Sequence, residues 1–263
     1  MQIELAGRVV LVTGAGRGIG RTLAESFADE DAIVVALDLP SPELETFGEP
    51  LEAAEGRRAH AVCDVRDSAR VDAVAAAVAA RFGRIDVLVN NAGINAEGLI
   101  AEVSDDLWQR CLDINVGGVI RMSRAVIPYM KESGRGRIIN AASFAAIVPT
   151  VGGGIYAASK AAVAQLTRSL AGELGPWDIT VNAYAPGMVP SAMNGFADMP
   201  AERQDELLDT LTLRRWGTAD EVADLVRFLA SDAASYITGT LVDVSGGKLA
   251  TQLPARAYSA VVG

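Results

Sequence analysis

The chain has 263 residues, 50% of them hydrophobic and 21% charged, which suits a compact globular enzyme and excludes a disordered or fibrous chain. Its formal net charge of −10 counts against nucleic acid as a partner, because neutralising phosphodiesters takes clustered Lys and Arg. The opening Met1-Gln2-Ile3-Glu4-Leu5 lacks the basic and apolar regions of a secretory signal, no apolar run is long enough for a bilayer, and Cys63 and Cys111 form no C-x-x-C pair, so a soluble cytoplasmic protein with reduced thiols and no membrane partner is expected.

Short β-branched runs alternate with amphipathic or alanine-rich stretches, the pattern of βαβ units around a parallel sheet. The first run is 9–13, followed by Ile19, Leu23 and Phe27 at four-residue spacing, a helical stripe. A second run lies at 33–38 and a third at 59–64. The third holds His60, the only histidine, which leaves no material for a serine–histidine hydrolase or a multi-histidine metal site. Residues 71–80, almost all alanine and valine, have the propensity for a packed helix. Runs at 85–90, 137–141, 180–185 and 240–244 complete the set. Before the last, Thr218-Ala219-Asp220-Glu221 has the spacing of a capping box. The expected fold is α/β, a doubly wound seven-stranded parallel sheet with helices on both faces, Rossmann-type, with 1–263 as a single domain because no repeat or linker divides it.

Thr13-Gly14-Ala15-Gly16-Arg17-Gly18-Ile19-Gly20 follows the first run where a helix begins. Glycines there allow positive φ and close backbone approach, and a helix amino terminus offers free N–H groups to a pyrophosphate. Position 19 is isoleucine, so the spacing is G-x-x-x-G-x-G from Gly14, Gly18 and Gly20 rather than G-x-G-x-x-G, and taken alone the loop also reads as a plain strand-to-helix turn. Asp38 closes the second run, where a carboxylate accepts hydrogen bonds from the adenosine ribose and repels a 2′-phosphate. Arg17 argues the other way, since a cation in the loop can neutralise that phosphate; Asp38 is given the greater weight, and NAD is expected over NADP. Asp64, after the third run, is placed either to meet adenine or to cap a turn. Tyr156 and Lys160, four residues apart on one helix face, bring an ammonium to a phenol whose pKa is ordinarily about 10; a fixed cation favours phenolate and makes it a usable base.

From Val9 to Gly247 the chain resembles the short-chain dehydrogenase/reductase family in its shorter, single-domain branch. The residues that carry the resemblance are the glycine loop, Asn90-Asn91-Ala92-Gly93, Asn115, Ser143, the Tyr156/Lys160 pair and Pro186-Gly187, in that order and spacing. It implies a metal-free, NAD-dependent oxidoreductase that interconverts a secondary alcohol and a ketone, with a homodimer or homotetramer as its assembly. Tyr156 would be the acid/base, Ser143 would hold the substrate oxygen, Lys160 would bind the nicotinamide ribose and lower the tyrosine pKa, and Asn115 would hold a water in a proton relay. It also implies that Gly14, Gly18, Ile19 and Gly20 hold the pyrophosphate, that Asp64 and Val65 meet adenine, that Asn90, Ala92 and Gly93 line the coenzyme cleft, and that Pro186, Val189 and Ser191 close over the carboxamide. A 3-oxoacyl-carrier-protein reductase using NADPH is the alternative, usually without an acid at the Asp38 position; a non-catalytic dinucleotide sensor would not need the intact catalytic set.

Ala142, Ser191 and Ser245 depart from the common family pattern without removing a catalytic group. The substrate loop is expected at 188–213, and Phe144, Val148, Met188, Met193 and Phe196 favour a neutral, partly apolar alcohol or ketone over a sugar acid. The tail at 248–263 carries Leu249, Leu253, Tyr258 and Val261 and is expected to dock, over a neighbouring subunit of a tetramer.

Overall fold

Val9–Thr13 consists of β-branched and aliphatic side chains, all buried, and forms β1 in the interior of a parallel sheet. The structure is a computed structural model and describes residues 3–191, 194–248 and 250–261. In chain order the elements are β1, α1 (Gly18–Asp29), β2 (Ile33–Asp38), α2 (Pro42–Glu45), β3 (Glu49–Pro50), β4 (Arg58–Val62), α3 (Ser68–Phe82), β5 (Val87–Asn90), α4 (Asp105–Leu112), α5 (Gly118–Ser133), β6 (Gly136–Ala141), α6 (Gly154–Leu174), β7 (Ile179–Pro186), α7 (Ala201–Leu208), α8 (Ala219–Ala230), β8 (Leu241–Val244) and α9 (Arg256–Val261). A single π-turn, Asp113–Gly117, joins α4 to α5.

The sheet order is β3-β4-β2-β1-β5-β6-β7-β8, every neighbouring pair parallel. Val10 pairs with Val34 on one side and Val87 on the other, so the chain winds outward from β1 in both directions. That reversal leaves a crevice beyond the carboxyl ends of β1 and β5, the general ligand position of such sheets. Successive side chains of a strand face opposite ways. Val10, Val12 and Val34 therefore pack under Leu23 and Phe27 of α1 and Val222, Val226 and Leu229 of α8. Val9, Leu11 and Val35 face Val71, Val74 and Val78 of α3 and Met122 and Val126 of α5. Burial on both faces is why these strands read as unbroken apolar runs.

The described sheet has eight strands, one more than the seven expected. The addition is β3, only Glu49 and Pro50, pairing with Ala59 and His60 at the edge. A proline there donates no ladder hydrogen bond, which an edge tolerates, and two residues without β-branched character leave no pattern to read. His60 serves the same edge: its Nδ1 lies 2.9 Å from the Gly48 carbonyl oxygen. The capping box forms as expected, Thr218 Oγ1 accepting from Glu221 N at 3.2 Å and Glu221 Oε2 accepting from Thr218 N at 2.9 Å.

In the tail, Tyr258 donates its hydroxyl to the Thr212 carbonyl at 2.7 Å, so the described part lies on its own chain beside the substrate loop. Met193 and Leu249 lie outside the described residues, as does the Val261 side chain. Among the described residues no helix is long and apolar enough to cross a membrane.

Candidate active site

A cavity of about 400 Å³ opens at the carboxyl ends of the central strands. Its wall includes Gly14, Arg17, Gly18, Ile19, Gly20, Asp38, Asp64, Val65, Ala92, Gly93, Pro186, Val189 and Ser191, together with Ser143, Tyr156 and Lys160. Of the catalytic and coenzyme-binding residues singled out in the sequence, Asn90 and Asn115 are missing from it, and Phe144, Val148, Met188 and Phe196 of the expected substrate side do not line it either.

The glycine loop is shaped as a cradle. Gly14 and Gly18 have φ of +67° and +56°, and a Cβ on Gly20 would lie 2.0 Å from the Gly14 carbonyl oxygen. Arg17 stands at the N-cap of α1 without a side-chain cap, and the first turn holds no acidic residue, so the leading N–H groups face the cavity without a competing carboxylate. This fits a pyrophosphate. Asp38 accepts from Gly16 N at 2.8 Å through Oδ2 and from Leu39 N at 2.7 Å through Oδ1, which fixes its carboxylate beside the loop. Arg17 is exposed at the same end.

Asp64 makes the turn contacts of one of its two readings. It accepts from the Arg66 backbone at 2.9 Å and from the Arg66 guanidinium at 2.6 Å, and that guanidinium holds its carboxyl below the usual carboxylate range. It still borders the cavity. Cys63 borders it too, with burial pushing its thiol up to about 11, a packed and protonated group at neutral pH.

Asn90 does not line the cleft. Its side chain points into the interior, donating to Asn140 Oδ1 at 2.8 Å and to Ser123 Oγ at 3.3 Å. The neighbouring Asn91 takes the place expected of it: Nδ2 donates to the Thr13 and Gly14 carbonyls at 3.1 and 3.2 Å, and Oδ1 accepts from the Tyr184 hydroxyl at 3.0 Å. Asn91 thus ties the glycine loop to β7. Nothing in the sequence marked Tyr184, whose phenol is driven upward by burial.

Ser143 ends the loop after β6 and accepts from Ala145 N at 3.1 Å, an arrangement that presents its hydroxyl to α6. Burial pushes the Tyr156 phenol up, and the Ser143 side chain beside it pulls it part of the way back. Lys160 lies one turn along α6, buried, its Nζ donating to the Ala141 carbonyl at 2.7 Å and standing 5.7 Å from the centre of the Tyr156 ring. Burial lowers the lysine from 10.5 to about 8. In this arrangement loss of water around the phenol dominates, and Ser143 rather than Lys160 supplies the opposing downward pull.

Asn115 sits in the π-turn between α4 and α5 and is fully buried. Its Oδ1 accepts from Ile94 N at 2.8 Å, and its Nδ2 donates to Ile94 O and Ser159 Oγ, each at 3.0 Å. Through these bonds the side chain pins the loop after β5 to the helix that carries Tyr156 and Lys160.

Residues 14–248 match the family described as enoyl-(acyl carrier protein) reductase. The chain is 37% identical over 245 residues to the 3-oxoacyl-[acyl-carrier-protein] reductase FabG of Thermotoga maritima, covering 93% of this chain and 99% of the relative. It is 42% identical over 248 residues to the short-chain reductase protein NovJ of Streptomyces niveus, covering 91% and 93%. Among solved structures, a gluconate 5-dehydrogenase from Burkholderia cenocepacia in complex with NADP and tartrate superposes with a TM-score of 0.88 at 34% identity, over 95% of this chain and 98% of that one. Sequence, topology and the Ser143, Tyr156 and Lys160 cluster agree: this chain belongs to the short-chain dehydrogenase/reductase family and is an NAD(P)-dependent oxidoreductase.

Proposed function

We propose that this chain, working as one coenzyme-binding and catalytic unit, interconverts a ketone and a secondary alcohol, with a 3-oxoacyl thioester as the first substrate class to test. The observation that carries the reading is the Tyr156 phenol, beside Ser143 and one helical turn from a buried lysine, on the wall of a cavity floored by a glycine cradle. Several relatives are named 3-oxoacyl-[acyl-carrier-protein] reductases, which favours a thioester ketone over the free alcohol that the sequence alone ranked first. The coenzyme reading rests on Asp38: its fixed carboxylate would accept from a ribose hydroxyl and repel a 2′-phosphate, so NAD(H) is preferred. The neighbour solved with NADP, and exposed Arg17, support the opposite preference.

The nicotinamide coenzyme, when bound, supplies or accepts the hydride. In reduction, Tyr156 delivers its phenolic proton to the carbonyl oxygen, and Ser143 donates a hydrogen bond to the same oxygen as negative charge builds there. In oxidation the phenolate takes the proton back. Lys160, protonated below about pH 8, places a positive charge one helical turn from the phenol, which favours the phenolate. Gly14, Gly18, Ile19 and Gly20 would hold the pyrophosphate, and Pro186, Val189 and Ser191 the carboxamide end.

A panel of 3-oxoacyl thioesters, simple ketones and secondary alcohols, run with NAD(H) and NADP(H) in parallel and followed by nicotinamide absorbance, tests this. Turnover of a 3-oxoacyl thioester with at least a tenfold kcat/KM preference for NADH is expected. Absence of turnover across the panel contradicts the reaction, and a preference for NADPH contradicts the weight given to Asp38.

A further inference from the structure

Lys248 follows the Gly246-Gly247 turn and is fixed at three points. Its backbone N–H donates to Ser245 Oγ at 3.1 Å, it forms an antiparallel bridge with Leu211, and Thr212 N donates to the adjoining Gly247 carbonyl at 3.3 Å. The side chain then reaches Thr210, Met188 and Phe144. Its Nζ donates to Thr210 Oγ1 at 3.0 Å, lies 3.8 Å from Met188 Sδ and stands 5.7 Å from the centre of the Phe144 ring. Phe144 and Met188 are buried, and each directly follows a cavity-lining residue, Ser143 and Gly187.

Among the described residues this ammonium has no carboxylate within 4.0 Å. The surrounding charges are spent on one another: Arg214 holds Asp205 and Asp209, and Arg215 holds Glu221. What faces Lys248 is a hydroxyl, a thioether and an aromatic ring. A half-buried ammonium in such company pays for lost hydration without an ionic return, and burial lowers its pKa accordingly. An anion entering beside Phe144 and Met188 would restore that return.

We infer that Lys248 is a specificity-determining residue that recognises an anionic group on the substrate, so that the preferred substrates are ketones, or the matching alcohols, carrying a carboxylate or phosphate beyond the reacting carbon. The inference rests on the proposed carbonyl reduction and narrows its substrate class. It also replaces the neutral substrate expected from the apolar loop, because Lys248 was grouped with the tail and its approach to Phe144 and Met188 is a tertiary contact.

The test uses the full chain with its coenzyme and three matched probes: a 3-oxo acid, its methyl ester, and a phosphate-bearing ketone. The wild type should favour at least one anion over the ester in kcat/KM. Lys248→Met should lower that ratio about 10- to 100-fold, the range of a charge-assisted hydrogen bond, and Lys248→Arg should keep most of it. Which anion wins identifies carboxylate or phosphate. A second readout needs no turnover: the preferred anion should protect Lys248 from an amine-reactive reagent, scored by mass spectrometry, and the ester should not. Equal kcat/KM for acid, phosphate and ester, or labelling of Lys248 unaffected by either anion, overturns the inference while leaving carbonyl reduction standing. No turnover of any probe would count against the reduction, and the labelling result would still decide the role of Lys248.

Discussion

Lys160 is buried with one hydrogen bond, to the Ala141 carbonyl, and its pKa falls from 10.5 to about 8. An unfolded chain keeps that proton until about pH 10.5. Between about pH 8 and 10.5 the unfolded state therefore binds more protons than the folded one, and stability from this group rises with pH across that window. Below about pH 8 both states are protonated and the penalty of roughly 3 kcal/mol applies in full. Lys160→Met removes the titration, so the Tm of the variant minus that of the wild type should fall as pH is raised from about 8 to 10 in the coenzyme-free protein. A difference that stays constant with pH would contradict a buried ammonium. At this scale the sequence was most informative where chemistry depends on spacing along one helix, as for Tyr156 and Lys160. It was least informative where two adjacent residues compete: whether Asn90 or Asn91 faces the cleft depends on the phase with which β5 ends, and composition does not carry that phase.

At the scale of elements, the turn from β1 into α1 joins sequence to coenzyme chemistry most directly. Gly20 is required by its neighbours rather than by its own backbone: an added Cβ would meet the Gly14 carbonyl oxygen at 2.0 Å and Asn91 Nδ2 at 2.4 Å. Gly20→Ala must therefore open the loop or break the Asn91 staple, and coenzyme affinity should fall at least 100-fold, measured by calorimetric titration. Affinity within threefold of the wild type would show that the cradle does not hold the pyrophosphate. The glycine spacing made this turn readable in the sequence, as β-branched runs made seven strands readable. β3 escaped because a Glu-Pro pair at an edge has neither. The π-turn at Asp113–Gly117 escaped too, since its cause is the bonding of Asn115 to Ile94 and Ser159, contacts 21 and 44 residues apart.

For the whole molecule, one sheet with a core on each face places residues at or just beyond the ends of β1, β2, β5, β6 and β7, with others from α1 and α6, around one crevice. The order of runs along the chain was enough to anticipate that crevice, because outward winding from β1 leaves only one reversal point. The identity of the substrate was not anticipated in the same way. It depends on where the segment 188–213 and the tail settle, and the Tyr258–Thr212 and Lys248–Thr210 contacts join residues with no shared pattern.

All of these scales converge on the Tyr156 hydroxyl as the group that moves the substrate proton. Replacing it tests that role with little disturbance, because Tyr156→Phe keeps the ring on α6 and removes one oxygen. Single-turnover rates and coenzyme affinity of Tyr156→Phe should be compared with the wild type on whichever ketone the wild type reduces. The account predicts coenzyme affinity within about twofold and a chemical step slowed at least about 100-fold, the lower bound for losing a positioned acid. A variant that reduces the ketone at the wild-type rate would contradict it.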